Sequence, residues 1–515
     1  MKTIRHVSAG LSTTAVAIGI LCIVCAYLQH KLPMDLFFNA DALYLPTLYG
    51  DVIEGQGRLN QWVLTPAPYF VPDWPIYFAM HGALSTPYHA IAGFFAVQIA
   101  LTFALVVFVY RKFLDSQGAW PLAAASVLLL SWLATIHVQP YNFLLSNAFH
   151  YGAFLLLLFS IVLLNAGLES DEGTAKKYAV ALLLLVAASS LSDKLFIAQF
   201  SLPALFCLPF LYRHRVRARL VLFGASVSAG TLLGVALYRF VVPNRVSGSP
   251  GGFFENPMQN VGELWRIVKA FYAASPFVAA ILVLFYIGMI WLVILGRRRK
   301  QAVDAIPAKL RFLVLFNLIA PAFVLAVAIC RTQPISDRYL LPVFFLPIIL
   351  GPLILYLFLR TSAAKNMAAV AAAIGAIVFL AQLVNFTFKD FSGIRQAYYP
   401  AEVECIDAAL AKHGLKHGVA NYWDAKKVRV LSKTKPTVAQ MSVDLTPFEW
   451  ITSKDFYRPS YEFALVTFDQ RSGGVDEKRL LEINGQPEDF AQCGATKVFM
   501  YPQKKLRIET APRGM

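Results

Sequence analysis

ASPFVAAILVLFYIGMIWLVILGRRRK, residues 274–300, decides the fold class: an uncharged run from 274 to 296 closes on Arg297, Arg298, Arg299 and Lys300. About 17 to 25 largely apolar residues suffice to cross roughly 30 Å of hydrocarbon as a helix. A cluster of Lys and Arg directly at the end of such a run marks the side of the membrane that keeps positive charge. The stretch therefore reads as a membrane span together with its orientation.

Working outward, the same pairing recurs along the chain. By the length criterion about eleven spans are expected, near residues 8–28, 89–110, 119–137, 147–167, 177–192, 195–212, 219–242, 274–296, 311–330, 339–359 and 366–386. The fifth and sixth are nearly continuous, parted by little more than Ser192-Asp193-Lys194. Lys2 and Arg5 precede the first span; Arg111 and Lys112 follow the second; Arg213, Arg215, Arg217 and Arg219 follow the sixth; Arg360 and Lys365 separate the tenth and eleventh. All of these clusters fall on one side if eleven spans alternate from an inside N-terminus. The loop 29–88 and everything after 388 then lie outside. The first span, without a small-residue cleavage pattern after it, reads as an uncleaved signal anchor.

The composition agrees. Hydrophobic residues make up 57% of the 515, charged residues 15%, and the mean hydropathy is +0.57, which excludes an ordinary soluble protein. The net charge of +16 belongs to the short basic loops, so it implies membrane lipids and not nucleic acid as the partner. The chain divides into a transmembrane domain, 1–388, and a soluble extracytoplasmic α/β domain, 389–515. In the latter, Pro400 to His413 has helical spacing with Gly414 as the stop signal, and residues 418–422, 428–431, 463–466 and 497–501 read as short strands. Cys405 and Cys493 are the two cysteines of this domain, and an oxidising exterior makes them a disulfide candidate.

The alternation also collects Asp41, Asp73, Asp193, Lys194, Arg331 and Arg338 on the face opposite the basic loops, with His150 at the outer start of the fourth span. Ionisable groups at the ends of apolar helices are costly to hold there unless they serve a purpose. Asp41 and Asp73 also suit helix N-termini, and Lys194 suits a snorkelling turn. Tyr422, Trp423 and Trp450 are candidates for stacking on a sugar. His81, His89, His137 and His150 border the outer ends of spans without a standard metal-ligand spacing.

The first outer loop reads Phe38-Asn39-Ala40-Asp41-Ala42-Leu43-Tyr44-Leu45-Pro46, then Trp62-Val63-Leu64-Thr65-Pro66, then Pro72-Asp73-Trp74-Pro75. This order of an acid after the first span, an amphipathic stretch and a polar aromatic cluster resembles the GT-C class of polytopic membrane glycosyltransferases, related in plan to the aminoarabinose and protein mannosyl transferases. Asp337-Arg338-Tyr339-Leu340-Leu341-Pro342 is similar to an Arg-Tyr-Leu-x-Pro pattern of that class. The resemblance implies an inverting glycosyltransferase of a bacterial inner (cytoplasmic) membrane, with a polyprenyl-phosphate-linked sugar as donor and a glycan, lipid or protein as acceptor. It implies Asp41 and Asp73 as catalytic residues, Lys194, Arg331 and Arg338 as donor-phosphate ligands, and Asp193 and His150 as further members of the site. The class includes metal-dependent and metal-independent members, so a divalent metal is left open. This chain departs from the pattern in lacking a compact Asp-x-Asp or Asp-Glu pair in the first loop. A lipid-linked glycan polymerase or ligase, or a non-enzymatic envelope assembly or transport protein, are the competing readings.

Overall fold

The computed structural model of the chain describes residues 2–211, 217–242, 244, 256–298, 308–331, 335–359, 361–467 and 474–508. Arg213, Arg215, Arg299, Lys300, Arg360 and the segment 332–334 lie outside them, as do the side chains of Lys2, Arg5, Arg297 and Arg298.

Among the described residues ten helices are long and apolar enough to cross a membrane: Val7–Leu28, Pro87–Arg111, Gly118–Thr135, Tyr151–Glu169, Glu172–Ser192, Arg217–Val241, Pro276–Val293, Leu310–Cys330, Asp337–Phe358 and Ser362–Phe388. The chain is thus an α-helical polytopic membrane protein with a small α/β domain behind it. The expected sixth span is an exception. Ile197–Leu211 is a short apolar segment that passes from a π-helix through a brief α-helix to a 3₁₀ turn, because Pro203 and Pro209 interrupt regular helix bonding.

Local chemistry sets where the spans begin. Pro87 stands in the first turn behind the Thr86 cap, whose hydroxyl accepts from the His89 amide. Asp115, Asp171 and Thr361 cap the helices that follow them by accepting from Gly118, Thr174 and Ala364, which satisfies free amides of the first turn.

Several helix ends meet one another. At the basic end Arg219 donates to the Leu168 carbonyl at 3.1 Å and Lys365 stands over the Tyr356 ring. At the other end the Tyr27 hydroxyl donates to the Tyr88 carbonyl at 3.0 Å, and the C-terminal domain is seated.

Gly230 and Gly234 bring Arg217–Val241 against Glu172–Ser192: a Cβ at these positions would come within 2.6 Å of the Leu183 carbonyl oxygen and 2.4 Å of that of Ala187. Small residues four apart allow this backbone approach. The contact carries Tyr238 up to Lys194, whose ammonium lies 3.8 Å from the ring centroid.

Helix Pro257–Ala274 precedes the span quoted at the outset. Met258, Val261, Trp265, Val268 and Tyr272 form an exposed apolar stripe along it, while Asn260 and Phe271 are buried. A stripe at helical spacing that carries Trp and Tyr is the pattern of a helix lying at a bilayer surface.

Strand β1 (Trp62–Val63) lies in the first outer loop; in the C-terminal domain, with strands β2 (His417–Ala420), β3 (Thr437–Gln440), β4 (Thr452–Ser453), β5 (Phe463–Val466), β6 (Asp489–Cys493) and β7 (Thr496–Met500), five strands form a mixed sheet in the order β3-β2-β5-β7-β6. The first three run parallel; β7 is antiparallel to β5 and β6. Helix Ala401–His413 ends at Gly414 in the left-handed region (φ 63°), the conformation glycine adopts without a Cβ penalty. One face of the sheet joins Ile406, Leu410, Phe463 and Val498 in a separate core, whereas Val419, Ala439, Ala464 and Phe499 belong to a core continuous with the helical bundle.

One expected strand is a helix. Residues 428–431 fall in helix Tyr422–Leu431, where the Asn421 carboxamide oxygen accepts from the Asp424 amide at 2.9 Å. That cap starts a helix whose buried positions include Tyr422, Ala425, Lys426 and Val428, a three-and-four spacing that marks one helical face.

Two features fasten the domain to the first outer loop. β1 pairs antiparallel with β4. The buried Asp51 accepts from Trp62 Nε1 at 2.8 Å and from Arg429 Nη2 at 3.0 Å.

Cys405 and Cys493 are joined by a disulfide across a sequence separation of 88. Closing a loop of this length stabilises a chain by about 4 kcal/mol in the chain-entropy model. The Cys405→Ser/Cys493→Ser double variant is therefore expected to lower the melting temperature and protease resistance of residues 389–508, and an unchanged melting curve would show that the bridge contributes nothing.

Candidate functional site

Asp41 lies in the turn between short helices Asp35–Phe38 and Tyr44–Tyr49. The turn is closed by Asn39, whose Oδ1 accepts from the Ala42 amide at 3.0 Å, so Asp41 is not spent as a cap. Its Oδ2 accepts from Arg338 Nη1 at 3.0 Å and its Oδ1 from the Tyr422 hydroxyl at 2.5 Å. Arg338 arrives from the tenth expected span and Tyr422 from the start of the C-terminal helix, so the constellation closes only when the domain is docked. Burial alone would raise the Asp41 carboxyl; Arg338, Tyr422 and Lys426 outweigh it and hold the group below the usual carboxylate range. Asp41 is an anion at neutral pH.

One helical turn beyond Tyr422, Lys426 is buried, with Nζ 3.3 Å from the Ala40 carbonyl oxygen and 4.2 Å from the Tyr422 ring centroid. Burial pulls this ammonium down to about 7, against the opposing pull of Asp41. The loop carrying the acid is thus gripped on both sides of Ala40-Asp41 by one helix of the C-terminal domain.

Arg338 occupies the 3₁₀ turn Asp337–Leu340, where Asp337 Oδ1 accepts from the Arg338 amide at 3.0 Å. Its Nε is buried and has no hydrogen-bond partner. The guanidinium lies 5.6 Å from the Tyr339 ring centroid, and that of Arg331 lies 5.0 Å from the same ring. Two guanidinium groups therefore meet on one aromatic ring, with a donor unspent, which suits an anion able to accept several hydrogen bonds.

The Tyr339 ring also meets His150 edge-on at 5.4 Å. His150 Nδ1 is 2.6 Å from Asp193 Oδ2, and its Nε2 is 3.3 Å from the Tyr69 hydroxyl. Asp193 Oδ1 accepts from the Leu195 amide at 2.9 Å. The carboxylate on Nδ1 and the Tyr69 hydroxyl on Nε2 together fix the orientation of the ring. Tyr69, Ala148 and His150 all have positive φ, at 61°, 57° and 67°. Such residues cost of order 1–3 kcal/mol each and persist where the surroundings over-determine them.

Asp73 opens helix Asp73–Leu84 but makes no side-chain cap. Its Oδ1 accepts from the Ala148 amide at 3.0 Å, while Oδ2 is buried without a partner, so close to Gly152 that a Cβ there would lie 2.1 Å away. Burial, with the Asp193 charge adding to it, raises the Asp73 carboxyl to about 7. A carboxyl whose folded value lies above its unfolded one contributes stability that is complete below about pH 4 and is lost as the pH rises through about 7. The Asp73→Asn variant cannot ionise. It is expected to flatten the fall in stability between pH 5 and 8, about 2–3 kcal/mol of the roughly 4 kcal/mol that a shift of this size carries in full, read as a melting temperature that declines less; a wild-type decline retained in full would place the titration elsewhere.

The structure thus brings Asp41, Arg331, Arg338, His150 and Asp193 into one chain of contacts through Tyr339, with Lys194 exposed directly after Asp193. Asp73 reaches it through the Ala148 backbone, not through Asp41. Three of the four histidines have separate partners: His150 faces Asp193, His89 faces Thr86 at 2.8 Å and His81 faces Glu54 at 3.6 Å. Among the described residues no three His, Cys, Asp or Glu side chains gather as metal ligands. Tyr422, considered for sugar stacking, is buried with its hydroxyl on Asp41. Sequence reasoning did not single out Lys426, Tyr339 or Tyr69; only the Arg-Tyr dipeptide at 338–339 hinted at the second.

No protein-family model matches the sequence, and no curated protein matches it. Among solved structures, the cryo-EM structure of the arabinofuranosyltransferase AftD from Mycobacteria is similar over 95% of this chain and 40% of that one, with 14% sequence identity and a TM-score of 0.46. The chain therefore spans about 40% of the length of that transferase.

Proposed function

We propose that the chain is a membrane glycosyltransferase that moves a sugar from a polyprenyl-phosphate donor to an acceptor hydroxyl at the extracytoplasmic face. The observation that carries this reading is the ionised Asp41 held between Arg338 and the Tyr422 hydroxyl, beside a second arginine on the same ring. Glycosyl transfer needs an oxygen base near the anomeric carbon and cations at the phosphate that leaves it.

In the proposed step the acceptor oxygen forms its bond to the anomeric carbon from the face opposite the phosphate, and the bond from that carbon to the phosphate oxygen breaks. The electron pair leaves with the polyprenyl phosphate, and the acceptor proton passes to Asp41. Arg338 and Arg331 hold the phosphate, with Lys194 as a further cation at the mouth. Once the phosphate engages Arg338, the carboxylate loses its largest stabilising charge and becomes a stronger base. His150, fixed by Asp193 and placed against Tyr339, positions the ring on which both arginines rest.

Orientation follows from the basic loops: the end that carries Asp41 and the C-terminal domain faces outward. Membranes from cells lacking the chain are expected to accumulate one polyprenyl-phosphate sugar while the surface glycan loses that sugar, read by mass spectrometry. Unchanged donor and surface pools would remove the transferase reading.

A further inference from the structure

A cavity of about 310 Å³ opens between the first outer loop and the C-terminal domain, apart from Asp41 and Arg338. Its walls include Thr47, Glu54, His81, Arg429 and Lys435, with Pro46, Pro87 and Pro436 among the apolar surfaces. The volume is at the small end of the roughly 300–1,000 Å³ typical of ligand sites.

Its polar atoms are not paid off within the protein. His81 is 2% exposed, and neither ring nitrogen has a hydrogen-bond partner; Glu54 Oε1 stands 3.6 Å from Nε2, beyond hydrogen-bond reach. Arg429 Nη1 is also buried without a partner, as is the hydroxyl of Tyr77 beside the His81 ring. Buried polar groups in native proteins are nearly always satisfied, by protein, water or ligand. The imidazole is packed against the Tyr49 ring at 4.1 Å, so its direction is fixed.

The charges select the chemistry. Arg429 is already matched by Asp51 at 3.0 Å, and Lys435 Nζ donates to the Val430 carbonyl at 3.2 Å. With Arg429 neutralised by Asp51, one carboxylate, Glu54, and one ammonium, Lys435, remain on the lining, so the cavity has no net positive charge to select an anion, and Glu54 offers acceptors to ligand hydroxyls. A hydrocarbon would leave His81 and Arg429 unsatisfied. Hydroxyl groups can accept from Arg429 Nη1 and both donate to and accept from a neutral His81. Burial favours that neutral form, lowering the imidazole's pKa more than Glu54 raises it.

Position relates the cavity to the acid. Tyr422 and Arg429 share one helix, seven residues and about 10 Å apart along its axis, and Pro46 and Thr47 lie on the helix that follows Asp41. We propose that the cavity is a subsite for a neutral sugar residue of a glycan acceptor whose hydroxyl reacts at Asp41. The role as acceptor subsite rests on the transferase reading; the binding itself does not.

The test uses the full chain in lipid nanodiscs, with methyl glycosides of neutral pentoses and hexoses and their disaccharides as probes, and glucuronate and inorganic phosphate as anionic comparisons. Ligand-observed saturation-transfer NMR reads binding, and melting temperature checks folding. A neutral methyl glycoside is expected to bind wild type, and to bind His81→Phe and Glu54→Gln about tenfold more weakly. Binding confined to the anions, no saccharide binding, or equal binding to both folded cavity variants overturns the proposal. If the cavity variants lose binding while Asp41→Asn retains transfer, the cavity stands and the assignment of the reacting acid fails. If transfer needs Asp41 but binding ignores both cavity residues, the cavity inference alone fails.

Discussion

Asp41→Asn is expected to reduce sugar transfer by about 10²- to 10⁴-fold, the usual range for removing a positioned acid–base group, while the protein still folds and inserts. The two halves of that expectation come from different observations. The carboxamide retains the shape of the carboxylate and one acceptor for the Tyr422 hydroxyl. The ion pair with Arg338 is only about one-quarter exposed on each side, so replacing its charged hydrogen bond costs folding on the order of 1–3 kcal/mol, which comparison at matched membrane abundance separates from the chemistry. The chemical loss is larger because an amide cannot take up the acceptor proton. Tyr422→Phe should retain much of the activity, since it removes a hydrogen bond to the acid and leaves the acid itself. Equal rates for wild type and Asp41→Asn at matched abundance would move the base elsewhere, first to His150, whose Nδ1 is already committed to Asp193.

Arg338→Ala is expected to lower kcat by about 10²- to 10³-fold, comparable to losing one preorganised donor to a developing oxyanion. Arg338→Lys should recover part of this, because it restores charge without the planar fork. The pH profile supplies a separate readout. Asp41 is active as the anion, and after burial, which raises its value, Arg338 is the largest influence that lowers it. Without the guanidinium the carboxyl moves up, so the acid limb of kcat/KM should shift to higher pH in Arg338→Ala. In wild type the acid limb of kcat should lie above that of kcat/KM, because donor phosphate occupies Arg338 in the bound complex. An acid limb that does not move in the variant would uncouple Arg338 from Asp41 in the mechanism.

The membrane-spanning helices were legible because one rule, apolar length closed by basic clusters, repeats over most of the chain. The same rule collected Asp41, Asp193, Arg331 and Arg338 on one side, and the structure joins them through Tyr339. Where that rule weakens, reading weakens too. The segment 197–211 is apolar enough for a span, but its prolines break the regular rise. Residues 428–431 place Val428, Arg429, Val430 and Leu431 in apparent alternation, a period-2 pattern that a capped helix start at Asn421 overrides. Lys426 and Tyr422 could not be read as site residues from local pattern at all. They stand 385 and 381 positions after Asp41 in the sequence, and only the docking of the C-terminal sheet onto the first loop brings them to it. His81 read as one more interfacial histidine, since its unsatisfied nitrogens are visible only once Glu54 and the C-terminal helix form the walls around it.

In the proposed reaction Asp41 serves sugar transfer from a polyprenyl-phosphate donor. The most direct test compares the lipid-linked and surface glycans, by mass spectrometry, of cells lacking the chain with cells carrying Asp41→Asn at wild-type membrane abundance. Both are expected to lose the same surface sugar and to accumulate the same polyprenyl-phosphate sugar. A change in the deletion alone, with a wild-type profile in Asp41→Asn, would contradict it.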